Sequence, residues 1–375
     1  MRMRAGVSPI CVVRLTPVMC LAAAAGLMTL VSGVSAQSIT SIGIPPGGSF
    51  SNANAVSANG SAVAATVDMA NAYRWTSSGL VSIGLLPGAY ATSAEDISSD
   101  GLVIVGSVFF TSPEETVRAH RWTSSGGMQD LGLPAGGVAS VGSGVSGDGN
   151  VVTGYSFDAD FNTTAFRWTS GGGMQSIGTL PGGTSSEGRK VSRDGSTIIG
   201  IAGTPQGDRA IAWTESGGMQ SLGLLSPGDS GSSAWGVNAN GTVIAGFSGS
   251  NAVIWTNGVV QNIGMLPGAT NAIAYTVSDD GSLVGGYSFF GNEPTATLWS
   301  QTLGTVDLNA YLPTIGVDLT GWELDYTRDI SADGTTIVGD GLFNGELRSW
   351  VVTIPSPNSV ALLGLGGLMA ARRRR

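Results

Sequence analysis

The sequence predicts an all-β protein: a seven-bladed β-propeller of four-stranded blades, closed by pairing the N-terminal strand with the C-terminal blade. Three features predict it. A tryptophan-containing motif is repeated seven times, a tight-turn motif recurs once in each of these repeats, and the two ends of the chain carry complementary parts of one repeat. The tryptophans recur at intervals of 42 to 51 residues, which is the length of a propeller blade. They are Trp75, Trp122, Trp168, Trp213, Trp255, Trp299 and Trp350.

The N-terminal segment has the layout of a secretory signal peptide. Three arginines precede an apolar stretch at 18–31, and small residues follow at 34–36. We expect residues 1–36 to be removed by signal peptidase, with cleavage after Ala36. A retained membrane anchor is the alternative, but the apolar stretch is shorter than the roughly 20 residues of a spanning helix.

Processing changes the chemistry of the chain. Cys11 and Cys20 both lie in the segment that we expect to be removed, so disulfides, thiolate catalysis and cysteine metal sites are excluded for the mature body. Without the signal segment and the four C-terminal arginines, the body keeps 10 of the 17 basic residues and all 26 acidic ones, a formal charge of −16. We therefore expect no nucleic-acid partner.

Each repeat predicts four short strands and no helix. In the fourth copy, residues 188–192 lead into an Asp194-Gly195 turn, and the apolar run 196–201 follows as a buried strand. Residues 210–214 and 219–223 supply the third and fourth strands. The corresponding turn pairs are Asn59-Gly60, Asp100-Gly101, Asp148-Gly149, Asp194-Gly195, Asn240-Gly241, Asp280-Gly281 and Asp333-Gly334.

The two ends of the body, residues 37–354, complete one another. Residues 38–43 match only the fourth strand of a repeat, whereas residues 329–354 supply only the first three. Pairing them would close the ring and leave no exposed strand edge at the seam. An open solenoid has no need for such a split repeat.

The repeat resembles the HAF family of extracellular repeats. The likeness is carried by Ala-Phe-Arg-Trp-Thr at 165–169, Gly-Met-Gln-Ser-Ile-Gly-Thr-Leu-Pro-Gly-Gly at 173–183 and Val-Ser-Arg-Asp-Gly at 191–195, and it covers nearly the whole body. The resemblance implies an extracellular location and a repeat architecture, without an established catalytic role.

Residues 355–375 resemble a PEP-CTERM sorting signal. Ile354-Pro355-Ser356-Pro357 is followed by an apolar run at 360–371 and by arginines at 372–375, although Ser356 stands where that family usually has Glu. Such a segment would pause in the membrane with its arginines on the cytoplasmic side. The resemblance implies cleavage by an exosortase-type protease and release to the cell surface or matrix. A permanent short anchor is the alternative.

Few residues suit catalysis. His120 is the only histidine, and it stands where other copies have Phe166, Ile211 or Val253, which predicts a packed structural side chain. With His120 assigned to packing, and without cysteine or a second histidine, the body can form neither a Ser-His-Asp triad elsewhere nor a histidine-rich zinc site. We predict no cofactor.

One loop carries alternating oxygen ligands. Asp158, Asp160 and Asn162 resemble the start of a calcium loop, but the glycine and the terminal glutamate that complete one are missing. They are the candidate metal ligands of the body. The repeated Asp-Gly pairs and tryptophans are explained by turn geometry and by packing between blades.

We expect any ligand site on the face formed by the loops between the second and third strands and by the loops between blades, because these loops vary most among the copies. Aromatic side chains beside carboxylates suit carbohydrate rings. The alternative is that these aromatics only close blade edges. The candidate residues are Phe109, Phe110, Tyr155, Phe157, Asp158, Asp160, Phe289, Phe290, Glu293 and Trp322.

Three functions follow as hypotheses. The first is an exported cell-surface or matrix protein that binds polysaccharide or surface proteins. The second is a glycan hydrolase or lyase that uses carboxylates, which requires two of Asp158, Asp160 and Glu293 to converge in one pocket. The third is a scaffold without a specific ligand.

Overall fold

A computed structural model describes residues 37–111 and 116–355. The predicted signal peptide and nearly all of the predicted sorting tail lie outside these residues. The described chain forms seven antiparallel sheets arranged as a seven-bladed β-propeller, which confirms the predicted fold class. In the second blade the first strand is split into two short strands, and the other six blades have four strands each.

The chain crosses each blade in order, from the axis outwards. The first strands are β2 (Ser51–Val56), β6 (Ala89–Thr92) with β7 (Asp96–Ile97), β11 (Ala139–Val145), β15 (Ser185–Val191), β19 (Ser232–Val237), β23 (Asn271–Val277) and β27 (Trp322–Ile330). The second strands are β3 (Ala62–Val67), β8 (Val103–Phe110), β12 (Val151–Phe157), β16 (Thr197–Thr204), β20 (Val243–Ser248), β24 (Leu283–Phe290) and β28 (Thr336–Phe343). The third strands are β4 (Asn71–Thr76), β9 (Thr116–Thr123), β13 (Thr163–Thr169), β17 (Gly207–Thr214), β21 (Asn251–Thr256), β25 (Glu293–Ser300) and β29 (Glu346–Thr353). The fourth strands are β5 (Gly79–Ser82), β10 (Gly127–Asp130), β14 (Gly173–Ser176), β18 (Gly218–Ser221), β22 (Val259–Asn262), β26 (Gly304–Asp307) and β1 (Ser38–Ser41).

The first strands of neighbouring blades contact one another all the way round, so they form the wall of a central channel. At one end of this channel, backbone hydrogen bonds join the turns of successive blades. Ala58 N donates to Ser99 O at 3.0 Å, Ser99 N to Gly147 O at 2.9 Å and Gly147 N to Arg193 O at 2.8 Å. Ala332 N donates to Ala58 O at 3.0 Å and links the seventh blade to the first. We call this end, formed by the Ser-x-Asp-Gly turns and their equivalents, the turn end.

Ring closure follows the predicted split. Strand β1 pairs antiparallel with β29, with Ser38 opposite Thr353 and Ser41 opposite Trp350. Ile42 extends the pairing by donating its backbone N–H to Ser349 O at 3.2 Å. The N-terminal strand therefore completes the seventh blade and covers the edge that β29 would otherwise expose.

The repeated turn is held by its own side chains. In blade 4, Ser192 Oγ donates to Asp194 Oδ1 at 2.6 Å, and the same oxygen accepts from Ser196 N at 3.0 Å. Ser192 Oγ also accepts from Thr197 N at 2.9 Å. The turn glycine, Gly195, has a φ of +75°, a conformation that glycine adopts without strain. The aspartates of these turns therefore stabilise the turn backbone by accepting hydrogen bonds within it, as the sequence predicts.

The blades pack through the repeated tryptophans. Trp168 is 5% exposed and lies in a cluster with Val103 and Val105 of blade 2 and Val152 of its own blade. Each of the seven tryptophans packs into a different cluster of this kind. Aromatic side chains thus fill the wedges between neighbouring blades.

The prediction of a body without helix is wrong at one place. A short helix, α1 (Leu308–Thr314), lies in the connection between blades 6 and 7. Asp307 caps it by accepting a hydrogen bond from Asn309 N at 2.8 Å, and Leu308 and Leu312 are buried in the core. A helix of seven residues has only two turns, too few for its periodicity to be recognised in the sequence.

Candidate functional site

One position of the repeat faces the channel in every blade. It is the third residue before the Ser, or Asn238, that opens each turn. The first strand has a β-bulge there in six blades, and in blade 2 the position lies in the break between β6 and β7. In blade 4, for example, Gly188 pairs with Gly200 and Lys190 with Ile199, so Arg189 is left without a partner on the second strand. A bulge of this kind turns a side chain away from its regular direction. The seven residues at this bulge position are Asn54, Glu95, Ser143, Arg189, Trp235, Tyr275 and Arg328.

Six of these seven residues line a cavity of about 370 Å³, which we call the central chamber. Its volume is within the range of small-molecule sites, about 300–1,000 Å³. It lies toward the loop face, because residues near the start of the first strands also line it. The full lining is Asn54, Glu95, Val141, Ser143, Tyr155, Glu187, Arg189, Lys190, Trp235 and Tyr275.

Arginine side chains and aromatic rings stack on one another at the wall of the chamber. The guanidinium carbon of Arg189 lies 3.6 Å from the ring centroid of Trp235, and the Trp235 ring stacks on Tyr275 with centroids 5.1 Å apart and planes 24° apart. The Arg328 guanidinium, which does not line the chamber itself, lies 5.5 Å from the Tyr275 ring centroid. Cation–π contacts of this kind fix the direction of both guanidinium groups before any ligand arrives.

The Arg189 guanidinium keeps unused donors. Its Nη2 lies 3.6 Å from Glu187 Oε2, which is an ion pair but too long for a hydrogen bond. Its Nε is buried without a partner, as is Nε1 of Trp235, within the described part of the chain. Unpaired buried donors are costly, so Arg189 and Trp235 are held at the cavity wall at the expense of stability.

Acceptors lie in the same chamber. Glu95 stands at the bulge position in blade 2. Burial raises the pKa of its carboxyl, because it disfavours the charged form. Ser93 and Lys190 oppose this shift only in part. The chamber therefore combines guanidinium donors with one carboxylate of raised pKa and a second carboxylate, that of Glu187.

Lys190 closes the floor of the chamber. Its Nζ lies 2.8 Å from Asp96 Oδ1. Burial acts to lower the pKa of Lys190, but the negative charges of Asp96 and Asp329 outweigh it and the net shift is upward. Asp329 is oriented by hydrogen bonds from Val56 N and Thr276 Oγ1, both 2.8 Å. A lysine held charged in this way binds and orients rather than attacking as a nucleophile.

The predicted loop-face residues fall into separate groups. Phe109, Phe110 and Phe157 line a surface groove between blades 2 and 3, of about 1030 Å³, together with Tyr90 and Phe161. Phe161 is 78% exposed at its rim. We call this the rim groove.

The other predicted residues lie elsewhere. Tyr155 lines the central chamber. Phe289, Phe290 and Glu293 belong to the hairpin between the second and third strands of blade 6, where Phe290 pairs with Glu293. Trp322 begins the first strand of blade 7 and packs against Phe343, with ring centroids 4.8 Å apart.

The calcium candidate forms a self-contained loop. Asp158 Oδ1 accepts hydrogen bonds from Asp160 N and Asn162 N, both at 2.9 Å, and Asp158 Oδ2 accepts from Asn162 Nδ2 at 3.0 Å. The backbone and Asn162 thus use both carboxylate oxygens of Asp158. Within residues 37–111 and 116–355, no three His, Cys, Asp or Glu side chains are grouped so that they could hold a metal.

The carboxylates that the hydrolase hypothesis requires are not those that line the chamber. Asp158 and Asp160 lie in blade 3 and Glu293 in blade 6, and none of the three lines the central chamber. Glu95 and Glu187 do. Sequence reasoning missed the bulge position, although a signal was present: when the seven copies are aligned on the turn serine, or on Asn238 in the fifth copy, five of the seven residues there are charged or aromatic.

Comparisons with known proteins support the fold. No protein-family model matches the chain, and no curated protein matches it. Among solved structures, an oligogalacturonate lyase from Vibrio parahaemolyticus superposes with a TM-score of 0.57 at 13% identity, over 84% of this chain and 93% of the lyase. An oligogalacturonate lyase in complex with manganese gives 0.56 at 14% identity over the same shares of each chain. A putative TolB from Agrobacterium tumefaciens gives 0.45 at 13% identity, over 84% of this chain and 97% of that protein. At 13% and 14% identity, the likeness to the two lyases shows the propeller fold alone.

Proposed function

We propose that this protein is an exported saccharide-binding protein and that the central chamber holds one end of its ligand. The observation that carries the proposal is the Arg189 guanidinium, which is stacked on Trp235 with unused donors beside Glu95 and Glu187.

The chemistry of the chamber favours a ligand rich in hydroxyl groups. A sugar hydroxyl donates one hydrogen bond and accepts others, so it pairs with a carboxylate and a guanidinium at the same time. The chamber offers both groups within a cavity of about 370 Å³. Its cations are largely balanced by neighbouring carboxylates, so the site does not require a strongly charged ligand.

Export is supported by the sequence alone. The signal-peptide layout of residues 1–36, the HAF-like repeats and the PEP-CTERM-like tail at 355–375 all favour the cell surface or extracellular matrix, with transient retention in the membrane by the tail. In the part of the chain that the structure describes, no helix is long and apolar enough to span a bilayer. The rim groove, with Phe109, Phe110 and Phe157, is a candidate contact for saccharide outside the chamber.

A second candidate function is a glycan lyase. The specific observation in its favour is that Glu95, whose pKa burial raises, shares a chamber with Arg189. A carboxyl of raised pKa can exchange a proton, and a guanidinium can neutralise a sugar carboxylate. The fold neighbours named as oligogalacturonate lyases agree with this possibility in fold only.

The described residues of this chain do not form a site for a manganese ion like that bound by one of those lyases. The only histidine, His120, is fully buried, and its Nε2 lies 2.9 Å from the backbone oxygen of Ser93. The described residues provide no other donor set for a metal. We therefore derive no step through a metal ion.

A glycan array followed by calorimetry tests the binding proposal, with neutral malto-oligosaccharides and acidic oligogalacturonates as the two ligand series. Arg189→Gln should weaken saccharide binding at least tenfold, whereas Arg209→Gln, which removes an arginine near the start of β17 whose side chain bonds only to the backbone of Gln206 and Asp208, should not change it. Absence of binding by the wild-type protein, or equal binding by Arg189→Gln, would contradict the proposal. An ultraviolet assay for the unsaturated product of oligogalacturonate cleavage separates the lyase from the binding protein.

A further inference from the structure

We infer that the central chamber is blind: it opens only toward the loop face, and so it takes the end of a saccharide chain and not an internal segment. The inference rests on the proposed function and names the part of the ligand that the chamber selects.

Arg193 closes the turn end of the channel. It occupies the second position of the Ser-x-Asp-Gly turn of blade 4. Its Nε donates to Asp279 Oδ1 in blade 6 at 2.7 Å, and its Nη1 donates to Ser99 Oγ in blade 2, also at 2.7 Å. Blades 2 and 6 flank blade 4 at a distance of two blades on either side, so a guanidinium that contacts both lies across the axis.

The equivalent residue of blade 3 makes room for this side chain. A Cβ added to Gly147 would overlap both Arg193 Cγ and Ser99 Oγ. Gly147 has no unusual φ, so the close approach of Arg193, and not the backbone conformation, requires glycine there. The closure is therefore built into two turns of the ring.

A second set of side-chain contacts crosses the channel closer to the chamber. Lys190 of blade 4 reaches Asp96 of blade 2 at 2.8 Å, and Asp329 of blade 7 adds its charge to the same group. The cavity that these residues line together with Arg193 has a volume of about 60 Å³. That is room for a few water molecules, and it is far too small for a sugar ring.

A polymer can be bound through its interior in two ways: it threads an open channel, or it lies along an open groove. The Arg193 contacts and the Lys190–Asp96 ion pair prevent a polymer from threading the channel. The chamber is a pit at the axis and not a groove across the face. An internal residue would need two continuing chain arms to leave through the same mouth. A terminal residue needs only one.

The experiment compares ligands with and without ends. Calorimetry measures the binding of linear and cyclic malto-oligosaccharides, and of short and long oligogalacturonates at equal molarity of chains, to the full body and to its Arg189→Gln variant. The Arg189-dependent binding should be at least tenfold weaker for cyclic than for linear ligands, and the affinity per chain should not change with length.

The outcomes separate this inference from the proposed function. Arg189-dependent binding of cyclic ligands as tight as that of linear ones, or affinity per chain that rises in proportion to length, would overturn end recognition while leaving saccharide binding intact. Absence of any binding in both series would overturn the proposed function, and end recognition with it.

Discussion

The ammonium nitrogen of Lys190 lies 2.8 Å from Oδ1 of Asp96, and this ion pair joins blade 4 to blade 2 across the channel. Lys190 is the only lysine of the chain. Its position on the axis places one charge within reach of carboxylates from two other blades, Asp96 and Asp329. The ring is thus held across its centre as well as around its circumference.

Removing this lysine should destabilise the propeller. Lys190→Met leaves two buried carboxylates without their cation, which should lower the free energy of unfolding by about 3 kcal/mol. Asp96→Asn should cost less, because Asp329 still accompanies the lysine. Urea unfolding measures both. Equal stability of Lys190→Met and wild type would show that the pair does not hold the ring.

Stability should fall in mild acid because of His120. Burial lowers the pKa of this histidine to about 4, so the folded state stays neutral where the unfolded state, titrating near 6.5, already binds a proton. The free energy of unfolding should therefore decrease by up to about 3 kcal/mol between pH 6.5 and 4. His120→Phe, which copies Phe166 of the next blade, is the matched control and should lack this slope. Parallel pH profiles of wild type and variant would contradict the assignment.

Glu95 should lower the stability of the protein at neutral pH while contributing to saccharide binding. Because burial raises the pKa of its carboxyl, the charged form is unfavourable in the folded state at neutral pH. Glu95→Gln should stabilise the protein at pH 7, and the gain should shrink in acid as the wild-type carboxyl takes up its proton. The same variant should bind saccharide more weakly, as calorimetry can measure. Glu215→Gln, on an exposed loop, should change neither.

Gly147→Ala should disturb the closed end of the channel. The added methyl group meets Arg193 and Ser99, and overpacking of this kind costs about 1–3 kcal/mol. Gly171→Ala is the control, because nothing lies near its Cβ, and it should change stability by less than about 0.5 kcal/mol. Thermal unfolding compares the two. Combining Gly147→Ala with Arg193→Ala should recover part of the loss, since one of the clashing side chains is gone.

Loss of the N-terminal strand should open the ring. A body that begins at residue 44 lacks β1, so the edge of β29 is exposed and the buried Ile42 is missing from the core between blades 7 and 1. We expect lower thermal stability and concentration-dependent aggregation, measured by light scattering, relative to a body that begins at residue 37. Equal solubility of the two would show that the seam is not needed.

The ring could be predicted from the order of residues alone. The spacing of the tryptophans predicted the number of blades, the Asp-Gly pairs predicted the turns, and the split repeat predicted the pairing of β1 with β29. Each of these follows from local rules: a turn such as Asp194-Gly195 needs a left-handed backbone, and Trp168 needs a neighbouring blade to cover it.

The location of the site became clear from the folded ring. The central chamber is made of residues that are far apart in the chain, because the axis is the one place where blades that are not neighbours meet. Arg189 faces the chamber because a bulge turns it inward, and Arg193 and Lys190 close it because Asp279 and Asp96 lie across the ring. A repeat pattern predicts what the copies share. The site is built from the position at which they differ, and closing the ring brings those differing side chains together.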